Sequence, residues 1–231
     1  MANSDQSKSA RLTWRDDRVP VAQQFDDPYF SFDNGLAETR HVFLTGNRLP
    51  DRFRDGFRIA ELGFGTGLNF LATWQMWRDN GIGGTLHFTS FEAFPMQTED
   101  MAKALANWPE LADLAVQLVQ AVAADKTVLK TEDVHLDVIQ GDARETLPRW
   151  TGSADAWFLD GFSPAKNPEL WGAELIAEVG RHTRPGGTFA TYSAAGHVRQ
   201  SLASAGFDVM KVAGFGRKRH MTVGTYQGPE T

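Results

Sequence analysis

The sequence predicts an α/β domain built on a mostly parallel sheet, and three observations predict it. Short apolar strands alternate with helical stretches from Phe57 onward, so successive strands need crossover connections. A glycine-rich turn, Gly63-Phe-Gly-Thr-Gly67, joins the first of these strands to the first helix. Acidic residues stand just after three further strands, at Glu92, Asp142 and Asp160, where open sheets of this kind bind ligands. A length of 231 residues suits one full domain and is short for two.

Residues 1–11 are polar and read as a flexible tail. They lack the apolar core of a signal peptide, which points to a cytoplasmic protein. Residues 12–56 are rich in turn formers and aromatics, including Asp27-Pro28, Asn34-Gly35, Gly46-Asn47 and Pro50. They read as a small strand-and-turn extension covering the pocket, with Tyr29-Phe30 and His41–Leu44 as strand pieces.

The main domain spans 57–231. Its first strand is Phe57–Leu62, followed by a helix carrying Leu68, Phe70, Leu71, Trp74 and Trp77, which Gly81 and Gly83-Gly84 terminate. Leu86–Phe91 is the second strand. Met101–Val122 has helical spacing interrupted near Pro109, and a polar insertion, Ala124–Asp133, leads to a third strand at Leu136–Ile139. Ala156–Leu159 is the fourth strand, Pro168–His182 a helix, and Thr188–Tyr192 the fifth strand. His197–Ala205 is a helix stopped by Gly206. The last two strands, Asp208–Val212 and Met221–Tyr226, are separated by a loop and predict an antiparallel edge hairpin on a seven-stranded sheet.

Composition removes several chemistries. The chain has no cysteine, which excludes disulfides, thiolate zinc sites, iron–sulfur clusters and cysteine nucleophiles. No Gly-x-Ser-x-Gly elbow or His-Glu-x-x-His pair is present, so hydrolysis and metal catalysis are not expected. No apolar run is long enough to span a bilayer. The net charge of −6 is unevenly placed: from Arg181 onward seven Lys/Arg stand against Asp208 and Glu230, a net +5, leaving −11 on the preceding 180 residues. A basic terminal fifth on an acidic body suits a local polyanion-binding face, or is simply a solvated surface.

The chemistry concentrates at the strand ends. In Glu61-Leu-Gly-Phe-Gly-Thr-Gly67 the dinucleotide fingerprint fails at Leu68, and the Gly-Lys-Ser/Thr ending of a phosphate-binding loop is absent. An acidic residue two before Gly-x-Gly-x-Gly is the pattern associated with S-adenosylmethionine. The carboxylate of that ligand suits amides at a helix start, and Glu61 is placed to face its ammonium or the hydration of that ammonium. Phe64 in the same loop and Asn69 at the start of the helix are grouped with them as cofactor-binding candidates. Glu92 either accepts from ribose hydroxyls or caps a turn; Asp142, with Ala143 beside it, either accepts from an adenine amine or caps the next helix. Asp160-Gly-Phe-Ser-Pro-Ala-Lys-Asn-Pro168 ends a buried strand in a carboxylate and a proline-stiffened loop, which can hold a substrate opposite a donor. Phe162, Pro164 and Lys166 lie in that loop. Arg217, Lys218 and Arg219, between the last two strands, either contact phosphates or form a solvated turn.

From about Tyr29 onward the chain resembles the methyltransferase domain of the bacterial tRNA-modifying enzyme MnmC and its stand-alone relatives, often called MnmD. The residues that carry the resemblance are Tyr29-Phe-Ser31, Asn34-Gly-Leu36, Glu38-Thr-Arg-His-Val-Phe-Leu44 and the Gly-Asn-x-Leu-Pro50 that follows. It continues through Glu61-x-Gly-Phe-Gly-Thr-Gly-Leu-Asn-Phe70, Asp155–Trp171, Gly187–Ser193 and Gly214–His220. It implies a Rossmann-like class I methyltransferase fold and transfer of a methyl group from S-adenosylmethionine to the aminomethyl nitrogen of a tRNA wobble uridine, 5-aminomethyl-2-thiouridine becoming 5-methylaminomethyl-2-thiouridine. By the same resemblance Glu61, Gly63, Gly65 and Gly67 form the donor loop, Glu92 is the ribose position, Asp142 the adenine position and Asp160 the catalytic-loop acid. The chain is short of the family's flavin-dependent oxidase domain, which implies that a separate enzyme supplies the aminomethyl substrate.

An alkylamine with a pKa near ~10 is mostly protonated at neutral pH, so Asp160 is expected to orient the amine while desolvation lowers its pKa. Tyr29, Asp33 and Glu38 are further candidates for substrate contact. Two alternatives stand beside this reading: a methyl- or aminopropyl-transferase of the same fold acting on a small amine, and a non-catalytic RNA-binding module.

Overall fold

The structure, a computed structural model, describes residues 9–32 and 34–228. The amino-terminal segment begins with β1 (Leu12–Arg15), β2 (Val19–Ala22) and β3 (Asp27–Pro28), a small antiparallel sheet in that order. Then comes α1 (Gly35–Thr39), whose first turn is capped by Asn34: its side-chain oxygen accepts from Ala37 N–H at 2.9 Å. α1 passes directly into a π-helical turn at Arg40–Leu44. The predicted strand at His41–Leu44 is therefore helical. A four-residue apolar run does not distinguish the two, and here Val42, Phe43 and Leu44 all pack into the core. Tyr29-Phe30, the other predicted strand piece, forms a bend just after β3. Of the predicted tail, residues 1–8 lie outside the described residues, whereas Ser9 and Ala10 are docked. Ala10 N–H donates to Pro95 O at 3.1 Å, and Gln97 Nε2 donates to Ser9 Oγ at 2.8 Å.

The main sheet is assembled from β4 (Arg58–Leu62), α2 (Leu68–Asp79), β5 (Leu86–Glu92), α3 (Thr98–Leu105), α4 (Ala112–Ala123), β6 (Val128–Lys130) and β7 (Val134–Gln140). There follow α5 (Ala143–Thr146), β8 (Ala154–Leu159), α6 (Ala173–Arg181), β9 (Thr183–Thr191), α7 (Gly196–Ser204), β10 (Phe207–Ala213) and β11 (His220–Tyr226). Its order is β10-β11-β9-β8-β4-β5-β7-β6. The five strands from β9 to β7 run parallel, and β10, β11 and β6 are antiparallel to their neighbours. All seven predicted strands are present. The eighth, β6, arises inside the polar insertion, where Val128–Lys130 pairs along β7; two half-buried residues and an exposed one carry no alternation to read.

Alternation along the central strands divides the core into two layers. On β8, Phe158 packs with Phe88, Phe70 and Trp74 on one face, while Trp157 and Leu159 pack with Ile176, Val179 and Leu202 of α6 and α7 on the other. The layers hold β4 and β8 rigidly side by side at the sheet centre. The strand order reverses there, with β5 and β7 built outward from β4 and β9 from β8. That is the crevice where an open α/β sheet places its ligand.

Candidate active site

Leu62 pairs with Leu159, so the loops leaving β4 and β8 emerge together. Gly63 has φ +86 and Gly161 φ +114, and a Cβ on Gly63 would stand 3.2 Å from Gly161 Cα. Only glycine lets these two loops approach so closely. Above them lies a cavity of about 600 Å³, ample for a nucleoside-sized ligand. One wall is Gly63, Phe64 and Gly65 with Asn69, Glu92 and Phe94; a second is Asp142, Ala143 and Arg144. A third is Asp160–Ser163, and the amino-terminal segment closes the cavity with Phe25, Tyr29, Glu38 and Thr39.

Asn69, on the first turn of α2, organises the floor. Its Nδ2 donates to Asp160 Oδ2 at 2.7 Å and to Glu61 Oε1 at 2.8 Å, and its Oδ1 accepts from Thr39 Oγ1 at 2.9 Å. The threonine hydroxyl thereby turns both amide hydrogens toward the carboxylates. Ser90 Oγ donates to the other oxygen of Glu61 at 2.7 Å, and Gly161 N–H donates to Asp160 Oδ1 at 2.8 Å. Burial drives the Glu61 carboxyl well above its usual range against the pull of Ser90 and Asn69. Burial likewise pushes Asp160 up to about 6; Asn69 and Gly161 oppose that rise, Glu38 adds to it and Lys218 opposes it.

Several predicted placements change. Glu61 has no exposed surface and lies beneath Asn69, so it does not face a ligand ammonium; its carboxyl braces the amide that reaches Asp160. Gly67 is also outside the cavity wall. It adopts φ +79 to start α2, with Leu118 Cδ2 only 2.6 Å from where a Cβ would be. Glu92 does line the cavity, but its oxygens already accept from Gly65 N–H at 2.8 Å and Phe94 N–H at 2.7 Å, so it clamps the glycine turn in place. Burial raises its pKa as well, against those backbone hydrogen bonds. Asp142 caps α5 by accepting from Arg144 N–H at 2.9 Å and pairs with Arg144 Nη2 at 2.5 Å; Arg144 also reaches Glu169 at 3.2 Å.

The acceptor side is aromatic. Phe162 stacks on Phe25 at 4.6 Å and meets Tyr29 edge-on at 5.1 Å. The Tyr29 hydroxyl is held above its ordinary pKa, first by burial and then by Glu92 and Asp100. Ser163 N–H donates to Asp27 Oδ2 at 2.8 Å, and Lys166 ties the same loop to Asp26 at 3.1 Å, so β3 and the loop after β8 form one wall. Lys166 itself, like Pro164, lies off the cavity lining. Asp33 falls outside the described residues.

The basic segment is dispersed by the fold. Arg181 pairs with Glu178, and Arg184 with Asp155 at 3.2 Å beside the start of β8, at the opposite end of the strands from the cavity. Lys218 turns inward to Glu38 at 2.9 Å. Arg217 and Arg219 are exposed, and among the described residues neither makes an ion pair with a carboxylate. Sequence reasoning missed Thr39, Ser90 and Tyr192. Tyr192, whose hydroxyl donates to Gly161 O at 2.7 Å, closes a predicted strand and was within reach of the strand-end rule; Thr39 and Ser90 act through long-range contacts with no local signature.

The cavity fits a nucleoside-bearing amino acid by its glycine cradle. Side chains at 63 or 65 would enter it or strike Gly161 and Tyr29. The start of α2 presents amides that helix geometry leaves without intrahelical partners. Gly63, Phe64, Gly65 and the first turn of α2 would hold the amino-acid end, with Glu92 and the Asp142–Ala143 turn beside the nucleoside.

A family model described as S-adenosyl-L-methionine-dependent methyltransferase matches residues 102–227. A protein of Aeromonas hydrophila subsp. hydrophila, named tRNA 5-methylaminomethyl-2-thiouridine biosynthesis bifunctional protein MnmC, is 47% identical over 93% of this chain and 35% of its own length. A protein of the same name from Pseudomonas fluorescens is 46% identical over 95% of this chain, again 35% of its own length. The chain thus spans about a third of the curated relatives it matches. The crystal structure of MNMC2 from Aquifex aeolicus superposes with a TM-score of 0.77 at 25% identity, covering 97% of this chain and 72% of that one. With the family model covering more than half of its residues, the chain belongs to the S-adenosyl-L-methionine-dependent methyltransferases.

Proposed function

We propose that this chain methylates the 5-aminomethyl nitrogen of a uridine, or 2-thiouridine, at the wobble position of tRNA. The observation that carries the reading is Asp160. It is a half-buried carboxyl held by Asn69 and Gly161 at the junction of the glycine cradle and the aromatic wall, in a chain 47% identical to a protein named for this modification. When bound, S-adenosylmethionine supplies an electrophilic methyl group on a sulfonium, a good leaving group.

What the chain must add is a positioned, deprotonated amine. Asp160 accepts from the amine while Asn69 and Gly161 fix its two oxygens. Its rise to about 6 narrows the gap to an alkylamine of pKa near ~10, and exclusion of water by Phe25, Tyr29 and Phe162 lowers the amine's own pKa. Pyrimidine stacking suits the Phe162 region. The solvent-facing Arg217 and Arg219 suit tRNA phosphates.

The test is nucleoside mass spectrometry of tRNA carrying 5-aminomethyluridine, incubated with the protein and S-adenosylmethionine. A gain of one methyl on the wobble nucleoside is expected. A larger alkyl gain, or none on tRNA alongside methylation of a free small amine, would redirect the reading to another transferase of this fold.

A further inference from the structure

Among the described residues, Lys218 is the only basic side chain lining the acceptor side of the cavity, and it comes from an exposed loop. Its Nζ lies 2.9 Å from Glu38 Oε1 and 4.3 Å from the centre of the Tyr192 ring. The two partners differ from it in how firmly they are held. The Glu38 side chain is only 15% exposed and sits on the capped helix α1. Tyr192 is anchored through its hydroxyl to Gly161 O at 2.7 Å, one residue from Asp160. Lys218 is 49% exposed and follows Gly216, whose φ of +57 marks a tight turn between β10 and β11. A fixed anion, a fixed aromatic face and a nearby second carboxylate make a box for an alkylammonium. The group in it is a primary alkylamine on a flexible stem.

We infer that Glu38 and the Tyr192 ring form the recognition site for the substrate's aminomethyl group, and that Lys218 is a displaceable occupant of that site. The inference rests on the reading of the substrate as a primary alkylamine. Its consequence is selectivity. A free nucleoside must compete with a lysine tethered at high effective concentration. A tRNA brings phosphates to the same loop, at Arg217 and Arg219, and gives Lys218 an alternative partner as it leaves. Lys218 would thus disfavour free aminomethyl nucleosides relative to the same group carried on tRNA.

The experiment is a calorimetric titration of 5-aminomethyluridine nucleoside, with uridine as control, into the full chain and into Lys218→Met, Glu38→Gln and the double variant. Lys218→Met should tighten 5-aminomethyluridine by roughly five-fold or more, as removal of an internal competitor requires, and leave uridine unchanged. Glu38→Gln should weaken it about ten-fold, as removal of a charge-assisted hydrogen bond does. In the double variant the gain from Lys218→Met should vanish, a coupling that a merely structural lysine would not produce. Unchanged or weaker binding of 5-aminomethyluridine by Lys218→Met overturns the inference. A parallel titration with propylammonium separates the two levels. If it binds Lys218→Met more tightly than the parent while 5-aminomethyluridine binds neither, the amine box stands and the uridine substrate falls. If neither amine responds to the substitution, the box falls.

Discussion

The two halves of the cavity use carboxylates in opposite ways. On the cradle side, Glu61 and Glu92 are buried and already hydrogen-bonded, Glu61 to Asn69 and Ser90, Glu92 to the amides of Gly65 and Phe94. They shape backbone and amide groups. On the acceptor side, Glu38 of the cavity wall faces Lys218, and just outside the lining Asp26 faces Lys166; both lysines reach across from exposed loops. These are ion pairs with a partly solvated cation, and such pairs exchange partners readily. Asp160 belongs to both halves: Asn69 and Gly161 hold it from below, while Glu38 and Lys218 set its electrostatics from the acceptor side. The carboxylates thus differ in what they already hold: backbone and amide groups on the cradle side, lysines that reach in from solvent on the acceptor side.

The comparison breaks most sharply at Asp160. Asp160→Asn keeps the size of the side chain and removes the acceptor charge, so single-turnover methylation should fall by roughly 10²–10⁴-fold. Near-parent rates in that variant would sink the assignment. The parent's activity should also decline as the pH falls through about 6, where Asp160 protonates. Its stability follows the opposite sign. A folded pKa raised from 3.8 to about 6 means that the native state binds the proton more tightly than the unfolded chain. Asp160's own contribution to stability is therefore fully present below about 4 and is lost as the pH rises through about 6. Whatever constant offset Asp160→Asn introduces, its melting temperature relative to the parent should rise across that window. A flat difference would mean that Asp160 is not buried as described.

Two glycines of the β4–α2 turn, Gly67 outside the cavity and Gly65 in its wall, sharpen the contrast between building and binding. At Gly67, Ala would adopt φ +79 with its Cβ 2.6 Å from Leu118 Cδ2, in a core where Leu118 is 1% exposed and has nowhere to go. Left-handed backbone and overpacking together cost about 2–4 kcal/mol, which should lower the melting temperature by on the order of 10 °C. At Gly65 an Ala would also have to adopt left-handed backbone, φ +54, at about 1–2 kcal/mol, but without overpacking: the nearest atom is Tyr29 Cδ1 at 3.0 Å, on a partly exposed ring that can tilt. Gly65→Ala should therefore melt within a few degrees of the parent and lose affinity for S-adenosylmethionine, read by titration. Equal melting temperatures for the two variants would erase the distinction.

How much of this was legible in the sequence follows from the range of each interaction. The seven strands were readable because apolar runs such as Ala156–Leu159 are bounded by turn formers, and the strand-end rule led from them to Gly63, Glu92, Asp142 and Asp160 without any contact being known. The rule located residues but not orientations. Glu61 looked like a ligand group because it precedes the glycines, yet a strand residue points to one face or the other, and Ser90 on the neighbouring strand with Asn69 on α2 claims it. Thr39 joins the site across 30 residues and Lys218 meets Glu38 across 180. Such pairings exist only after the sheet has closed. The helical turn at Arg40–Leu44 and strand β6 escaped for a local reason, since runs of five and three residues are too short for either periodicity to show.

The smallest expected effect tests the outer edge of the acceptor side. The terminal +5 segment suits either a polyanion-binding face or a solvated surface, and the fold splits it: Arg181 and Arg184 are paired at the other end of the sheet and Lys218 turns inward. Of the four that remain, Arg199, Lys211, Arg217 and Arg219, the last two are exposed and flank Lys218, which lines the cavity. Removing one cation from a phosphate should reduce the magnitude of the slope of log K against log salt by somewhat less than one. Arg217→Met with Arg219→Met should therefore weaken tRNA binding modestly at low salt and flatten the slope by about twice that amount, with S-adenosylmethionine affinity unaltered. Arg181→Met with Arg184→Met removes the same formal charge from the far end and should leave the slope as it was, after allowance for any loss of fold that a melt would reveal. Equal slopes in the two double variants would mean that net charge steers the RNA. Unequal slopes, in the order given, would mean that its placement does.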